Sequence, residues 1–445
     1  MIENIKASLD SQSKVLIKNS GWVFFSNFFS TGLAFIRSVV IARGLGPGIY
    51  GTYAIIVAFV GLVQEFLNLN TGTALIKFGA DYHVQGRNDK LMALVKSSLL
   101  ISFVMALLSI VIIAIITLTS YSTIVNQPHL EWFIILYAIA ASITYMNSIS
   151  RGLLRLYYKF KLSSVIQMIM DVVETVAITI AVLIYPKNLN VFFTAIILTR
   201  FLNGFICNLL AYFELRKELG PYLNVATDLI HEDRKSFRDF VVGNSLGNSL
   251  KTAISQGDVL LLGWLTNVTQ VGLYSVSKKL AYSVLTLTDP LTQSIYPQLS
   301  KLLAEKKFPE VRKMLIKITS LAMIPGIIFM VLTFFLDHWI VRTIYGKAYI
   351  GAGDSFFYFV VGAVFGAATF WTLPLVQSMG LVRMRLKAYV LTIVLGSFLA
   401  WWWVPLYQSA GMAMALLVTN LSNMTIFITI AFRRMRQKEI SSLTV

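Results

Sequence analysis

The stretch ARGLGPGIYGTYAIIVAFVGLVQ (residues 42–64) closes one apolar run and opens the next. The run before it begins near residue 20, and each is about 20 residues long, enough for a helix to cross a ~30 Å hydrocarbon core. Between them lies the short segment RGLGPGIY (43–50), with Pro47 placed to start the second helix. Lipid offers no partner to an exposed amide, so runs of this kind must be helical. Working outward gives twelve such runs, near 20–43, 51–72, 92–118, 131–150, 163–184, 191–213, 237–263, 272–297, 314–336, 354–377, 386–405 and 410–432. The fold class is an all-α polytopic membrane protein with twelve transmembrane helices.

Composition agrees. Of 445 residues, 56% are hydrophobic and only 13% charged, about half the charge of a soluble globular chain. That excludes an ordinary soluble enzyme and a disordered tail. The net charge of +17 does not mark a nucleic-acid protein, because Lys and Arg fall in short clusters between apolar runs, as they do where orientation is set. The first run is too long for a cleavable signal. A single cysteine, Cys207, excludes an internal disulfide and a cysteine metal site. His231, Glu232 and Asp233 are adjacent and read as solvated linker, and no metal or nucleotide motif is present.

With the N-terminus placed in the cytoplasm, 29 of the 38 Lys and Arg fall on inner segments and only Arg43, Lys187, Arg342 and Lys347 on outer loops. The asymmetry places both termini inside and requires an even number of spans. The longest polar interruption, 214–236, divides the chain. The expected layout is a cytoplasmic, amphipathic or partly ordered segment (1–19), a six-helix lobe (20–213), a cytoplasmic linker (214–236), a second six-helix lobe (237–432) and a basic cytoplasmic tail (433–445). A shift of 221 residues lays Gly51 and Tyr53 on Gly272 and Tyr274, Lys96 on Lys317, and Arg37 on Asp258. Two repeats of like orientation suggest a substrate path along their interface.

Residues 42–64, with DVLLLGWLTNVTQVGLYSVSKKLAYSVLTLTDPLTQSIYPQLSKL (258–302) and GMAMALLVTNL (411–421), resemble the polysaccharide-transporter branch of the multidrug/oligosaccharidyl-lipid/polysaccharide exporter superfamily. Within it the likeness is to Wzx-type O-antigen and capsule flippases of bacteria. The resemblance implies two six-helix lobes around a V-shaped central cleft. It implies a cargo of undecaprenyl-diphosphate-linked oligosaccharide moved from inner to outer leaflet of the bacterial inner membrane, for O-antigen, lipopolysaccharide or another surface polysaccharide. Transport would proceed by alternating access coupled to a proton or Na⁺ gradient, with no other cofactor. A polysaccharide polymerase and chain-length proteins would be partners, besides membrane lipid. The motifs identify a scaffold shared by many cargoes, not a glycan.

A charge at mid-membrane costs about 2.5–3.5 kcal/mol on insertion scales, so each needs a reason. The embedded cations are Arg37, Arg200, Lys251, Lys278 and Lys279, and the acids are Glu65, Asp171, Glu174, Asp258 and Asp289. In the seventh span Asn244, Asn248, Lys251, Ser255 and Asp258 recur at helical spacing and share one stripe. The stripe reads as a hydrophilic cavity wall or as interhelical hydrogen bonding. The cations suit a lipid diphosphate, which Arg meets as a planar fork and Lys as a point charge; for Lys278 and Lys279 snorkelling is the alternative. Arg37 and Asp258, matched by the repeat, form either a state-dependent gate or a static pair. Glu65, Asp171, Glu174 and Asp289 are candidates for the coupling ion, or partners of Arg200 and the inner lysines.

Two rival functions stand beside this one, and the residues argue against the first. A membrane polymerase or ligase needs an extramembrane site, and the longest outer loop, near 337–353, is short and poor in catalytic groups. A small-molecule drug exporter on the same scaffold would favour an aromatic, Met-lined cleft with few cations. Prolines 290, 297, 325 and 374 predict bends in spans eight, nine and ten.

Overall fold

The computed structural model describes residues 2–124, 130–186, 188–227, 234–283, 285 and 289–443. The linker residues His231, Glu232 and Asp233 lie outside the described residues, as do the side chains of the N-terminal segment 1–19. Thirteen α-helices are present among the described residues, with no strand. They are α1 (Ile2–Leu67), α2 (Thr71–Val84), α3 (Asn88–Ile124), α4 (Glu131–Leu156), α5 (Phe160–Ile184), α6 (Leu189–Leu219), α7 (Arg234–Leu265), α8 (Val268–Ser283), α9 (Asp289–Ala304), α10 (Phe308–Tyr345), α11 (Gly353–Ala368), α12 (Thr372–Ser378) and α13 (Val382–Leu443).

Among the described residues, eight helical segments are long and apolar enough to cross a membrane. Two of them, Gly21–Val84 and Met384–Gln437, each hold two of the expected spans. α1 breaks at Gly46 (φ 79°), so that Pro47 opens its second helix, and α13 breaks at Gln408 (φ 51°), just after Pro405. Expected spans seven and eight fall short of that threshold for visible reasons. The polar stripe lowers the hydropathy of α7, and span eight contains residues 284 and 286–288, which lie outside the described residues. Span ten divides into α11 and α12 ahead of Pro374, whereas α10 runs unbroken through Pro325. Trp401 and Trp402 are exposed, as residues facing lipid are.

The helices gather into two compact units. The first comprises Met1–Arg37 and Phe59–Ser249, the second Ser38–Ala58 and Leu250–Val445. In space, therefore, the division falls inside α7 rather than within 214–236, and the turn at 38–58 packs with the C-terminal half. In the first unit Leu75, Leu91, Leu94, Leu153 and Leu219 make a buried cluster joining α2, α3, α4 and α6. In the second, Leu299, Val311, Leu315, Trp371 and Leu375 join α9, α10 and α12. Each residue buried this way contributes about 1.5–3 kcal/mol relative to water, though against lipid the gain is in packing.

A glycine contact explains why 38–58 joins the second unit. A Cβ on Gly51 would fall 1.7 Å from the Val268 carbonyl oxygen, and one on Gly272 would fall 2.0 Å from the Pro47 carbonyl oxygen. The helix after Pro47 and α8 thus pass backbone against backbone, which only glycine permits. Gly51 and Gly272 are the pair matched by the 221-residue repeat, so the repeat signal marks a crossing within one unit.

Candidate functional site

Polar side chains embedded in each unit are joined into networks. In the first unit α1 meets α5. Ser30 and Arg37 stand two turns apart on α1, and Asp171 and Glu174 one turn apart on α5, which puts each set on one face. Arg37 Nη1 lies 2.8 Å from Glu174 Oε2, with both side chains largely buried. Ser30 donates its hydroxyl to Asp171. Gln167 Nε2 donates to both Asp171 oxygens at 3.0 Å, and its own Oε1 accepts from Arg151 at 2.6 Å. Asp171, buried, is thereby held by the neutral donors Ser30 and Gln167, with Arg151 one link further on.

At the end of α1, Glu65 is half-buried. Ser249 donates to the Glu65 carbonyl at 3.0 Å, and Tyr145 to the Gln64 carbonyl at 2.6 Å. These contacts satisfy carbonyls that the helix end leaves open.

The second unit holds the pair Asp258–Lys278, with Nζ to Oδ2 at 2.6 Å. Tyr274 donates its hydroxyl to the same oxygen at 2.5 Å. The Val259 amide donates to Oδ1 at 2.7 Å, and Lys278 also donates to the Ser255 carbonyl at 2.7 Å. Lys278 is 15% exposed and Asp258 5%. Replacing Tyr274 with Phe removes one hydrogen bond to a charged group. We expect a loss of about 1.5–3 kcal/mol, read as a lower melting temperature of the detergent-solubilised protein; an unchanged melt would show that the hydroxyl contributes nothing to this cluster.

Two sequence expectations are corrected here. Arg37 and Asp258 have separate partners, Glu174 and Lys278, each within its own unit. A buried charge takes the opposite charge on the helix packed against it, and a repeat register does not report which helix that is. Lys278 does not snorkel and is not a free cation for phosphate, because Asp258 already neutralises it.

The other expected residues are distributed differently. Arg200 lies with its guanidinium 5.0 Å from the centroid of the buried Tyr137 ring. Its position against an aromatic face is a cation–π contact. Lys251 and Ser255 are exposed, while Asn248 and Lys279 are half-buried. The side chains of Asn244 and Asp289 lie outside the described residues. The stripe on α7 is therefore mixed, exposed in its middle and buried at Asp258. Sequence reading missed Ser30, Gln167, Tyr145 and Tyr274. Helical spacing was the available signal for two of them: Gln167 precedes Asp171 by one turn, and Ser30 precedes Arg37 by two. Among the described residues one group could supply metal ligands, Asp337, His338 and Asp354, with ligand atoms within 4.8 Å of one another. His338 Nδ1 lies 2.7 Å from Asp337 Oδ1, and Asp354 is exposed.

Residues 16–303 match the family described as Polysaccharide biosynthesis protein. No curated protein sequence matches. Among solved structures, the chain is similar to an inward-facing multidrug resistance MATE family transporter of the MOP superfamily, at 13% identity, covering 92% of this chain and 95% of that one, with a TM-score of 0.67. It is similar to the lipid II flippase MurJ in an inward closed conformation, at 12% identity, 95% and 91% coverage and a TM-score of 0.69. A third is the Vibrio cholerae MATE transporter VcmN in the bent form, at 12% identity, 97% and 99% coverage and a TM-score of 0.60. The proteins that share this fold are transporters and a flippase, not enzymes. With an all-helical multi-pass architecture, ionisable networks at span depth and a family match over most of its length, the chain belongs to the polysaccharide biosynthesis protein family and has the fold of MOP-superfamily exporters.

Proposed function

We propose that this protein is a flippase for an undecaprenyl-diphosphate-linked oligosaccharide, moving it from the inner to the outer leaflet of a bacterial inner membrane for O-antigen or another surface polysaccharide. The observation that carries this reading is the family match over 16–303. It is supported by the likeness to a lipid II flippase over nearly the whole chain, and by the surplus of cations that suits a diphosphate headgroup. In this reading Lys251, exposed on α7, is a cation offered to the headgroup, and Lys278 is released to it only if Asp258 changes partner. Both termini face the cytoplasm, in keeping with the Lys and Arg distribution. A polysaccharide polymerase and chain-length proteins would act on the delivered product.

We assign coupling to Asp171. Its carboxylate is held by neutral donors, an arrangement able to exchange a proton or Na⁺ without breaking an ion pair. Glu174 is committed to Arg37.

The test is reconstitution in liposomes with a fluorescent undecaprenyl-diphosphate glycan. Wild-type protein is expected to move it across the bilayer, faster with an imposed proton or Na⁺ gradient. Asp171→Asn is expected to lose at least about tenfold of the gradient-driven rate, in line with one removed charge interaction of ~1.4 kcal/mol or more. Transport of cationic drugs but not of the glycan lipid would replace the flippase reading with a drug exporter. Full gradient response in Asp171→Asn would remove the coupling assignment alone.

A further inference from the structure

The distribution of Lys and Arg leaves four on the presumed outer side, and three of these converge. Arg43, Arg342 and Lys347 all line one cavity of about 450 Å³ in the second unit. Cavities of ~300–1,000 Å³ are of ligand-binding size. No carboxylate lines it.

Local backbone geometry builds this arrangement. α10 ends at Tyr345, and Gly346 (φ 98°) turns the chain sharply so that Lys347 follows at the rim. The break at Gly46 (φ 79°) brings Arg43 to the same place. Arg43 Nε donates to the Ile344 carbonyl at 2.8 Å and Nη2 to the Thr343 carbonyl at 2.5 Å. It caps carbonyls that the end of α10 leaves open, and so is fixed in direction. Tyr345 and Tyr349 wall the cavity and are themselves anchored. Tyr349 donates to the Ala42 carbonyl at 3.1 Å, and the Tyr345 hydroxyl lies 3.3 Å from Ser38 Oγ. Arg342 and Lys347 are exposed. Neither has a side-chain hydrogen bond or ion pair among the described residues.

Helix-end carbonyls account for Arg43. They do not account for two further cations held beside it without an acid. Like charges gathered in one cavity repel, and an anion with several acceptor oxygens relieves that repulsion while using the arginine fork and the lysine point charge together. We propose that this cavity is a phosphate-ester site at the membrane face, one that takes the phosphate of an anionic lipid. Two sources share that chemistry: the diphosphate of a delivered polyprenyl carrier, and the headgroup of a resident phospholipid. Assigning it to the carrier rests on the flippase reading; the anion site itself does not.

Native mass spectrometry of the full-length protein in detergent tests the site, with undecaprenyl diphosphate, phosphatidylglycerol and inorganic pyrophosphate as probes and undecaprenol as the uncharged control. The variant is Arg342→Gln with Lys347→Gln, both exposed. The control is Lys301→Gln with Lys306→Gln, two exposed cations remote in sequence on a basic segment. The expected result is at least tenfold weaker retention of a phosphorylated probe by the first variant and no change with the second. Loss confined to undecaprenyl diphosphate identifies the carrier as occupant. Equal loss of both lipids identifies the headgroup phosphate, and loss of pyrophosphate alone overturns the lipid assignment. Equal retention of all three probes by wild type and variant, or no retention by wild type, overturns the site. Failure of wild type to move the glycan lipid in liposomes would overturn the flippase reading and leave this binding result standing.

Discussion

Arg37→Ala is expected to destabilise the first helical unit by about 3–5 kcal/mol, the cost of leaving one member of a buried ion pair alone. Glu174 sits 2.8 Å from Arg37 and is largely buried, so removing the guanidinium leaves a carboxylate where water does not solvate it. Glu174→Ala has the same effect in reverse. The double variant is expected to recover part of the loss, because it leaves no unpaired charge, the remainder being the cost of the space that two alanines leave empty. The measurement is a double-mutant cycle on thermal unfolding of the solubilised protein, with liposome transport read alongside. Single variants at wild-type stability would mean that the pair is solvated. A double variant that folds well and moves no glycan lipid would separate a transport role for the pair from its part in stability.

The second large effect is steric. Gly51→Leu places a side chain against a backbone oxygen only 1.7 Å from its Cβ, and Gly272→Leu does so at 2.0 Å. A side-chain neighbour could rotate away, but these carbonyls belong to the helix after Pro47 and to the start of α8. Overpacking usually costs about 1–3 kcal/mol, and with backbone as the obstacle we expect the upper end or beyond, seen as loss of monodisperse protein. Gly61→Leu is the control, since nothing lies within 4 Å of a Cβ there. If Gly51→Leu yielded as much folded protein as Gly61→Leu, the close crossing would be wrong.

The two effects differ in how far a reader of the sequence could have foreseen them. Gly51 and Gly272 stood out together, because the 221-residue shift aligns them within matching G-x-Y motifs. That they touch was not visible, since a repeat says that two segments are alike and not that they meet. Asp171 and Glu174 were legible as a pair on one face of α5. Their partners were not, because Ser30, Arg37 and Arg151 lie on α1 and α4, far off along the chain. The α7 stripe was legible as a stripe, while its division into exposed Lys251 and buried Asp258 depended on neighbours in other helices. Arg342 and Lys347 drew no attention as a site; their count on one side mattered only once Arg43 stood beside them.

Sequence alone determined the class of fold, an all-helical chain that crosses the membrane many times, because apolar run length and helical period are local and lipid leaves the backbone no choice but helix. It also determined which charges needed an explanation. Tertiary structure alone decided how those charges are neutralised: Arg37 by Glu174, Lys278 by Asp258, and Asp171 by Ser30 and Gln167. Coulombic attraction and hydrogen bonding act over a few ångströms in space, between helices whose separation along the chain says nothing about their contact.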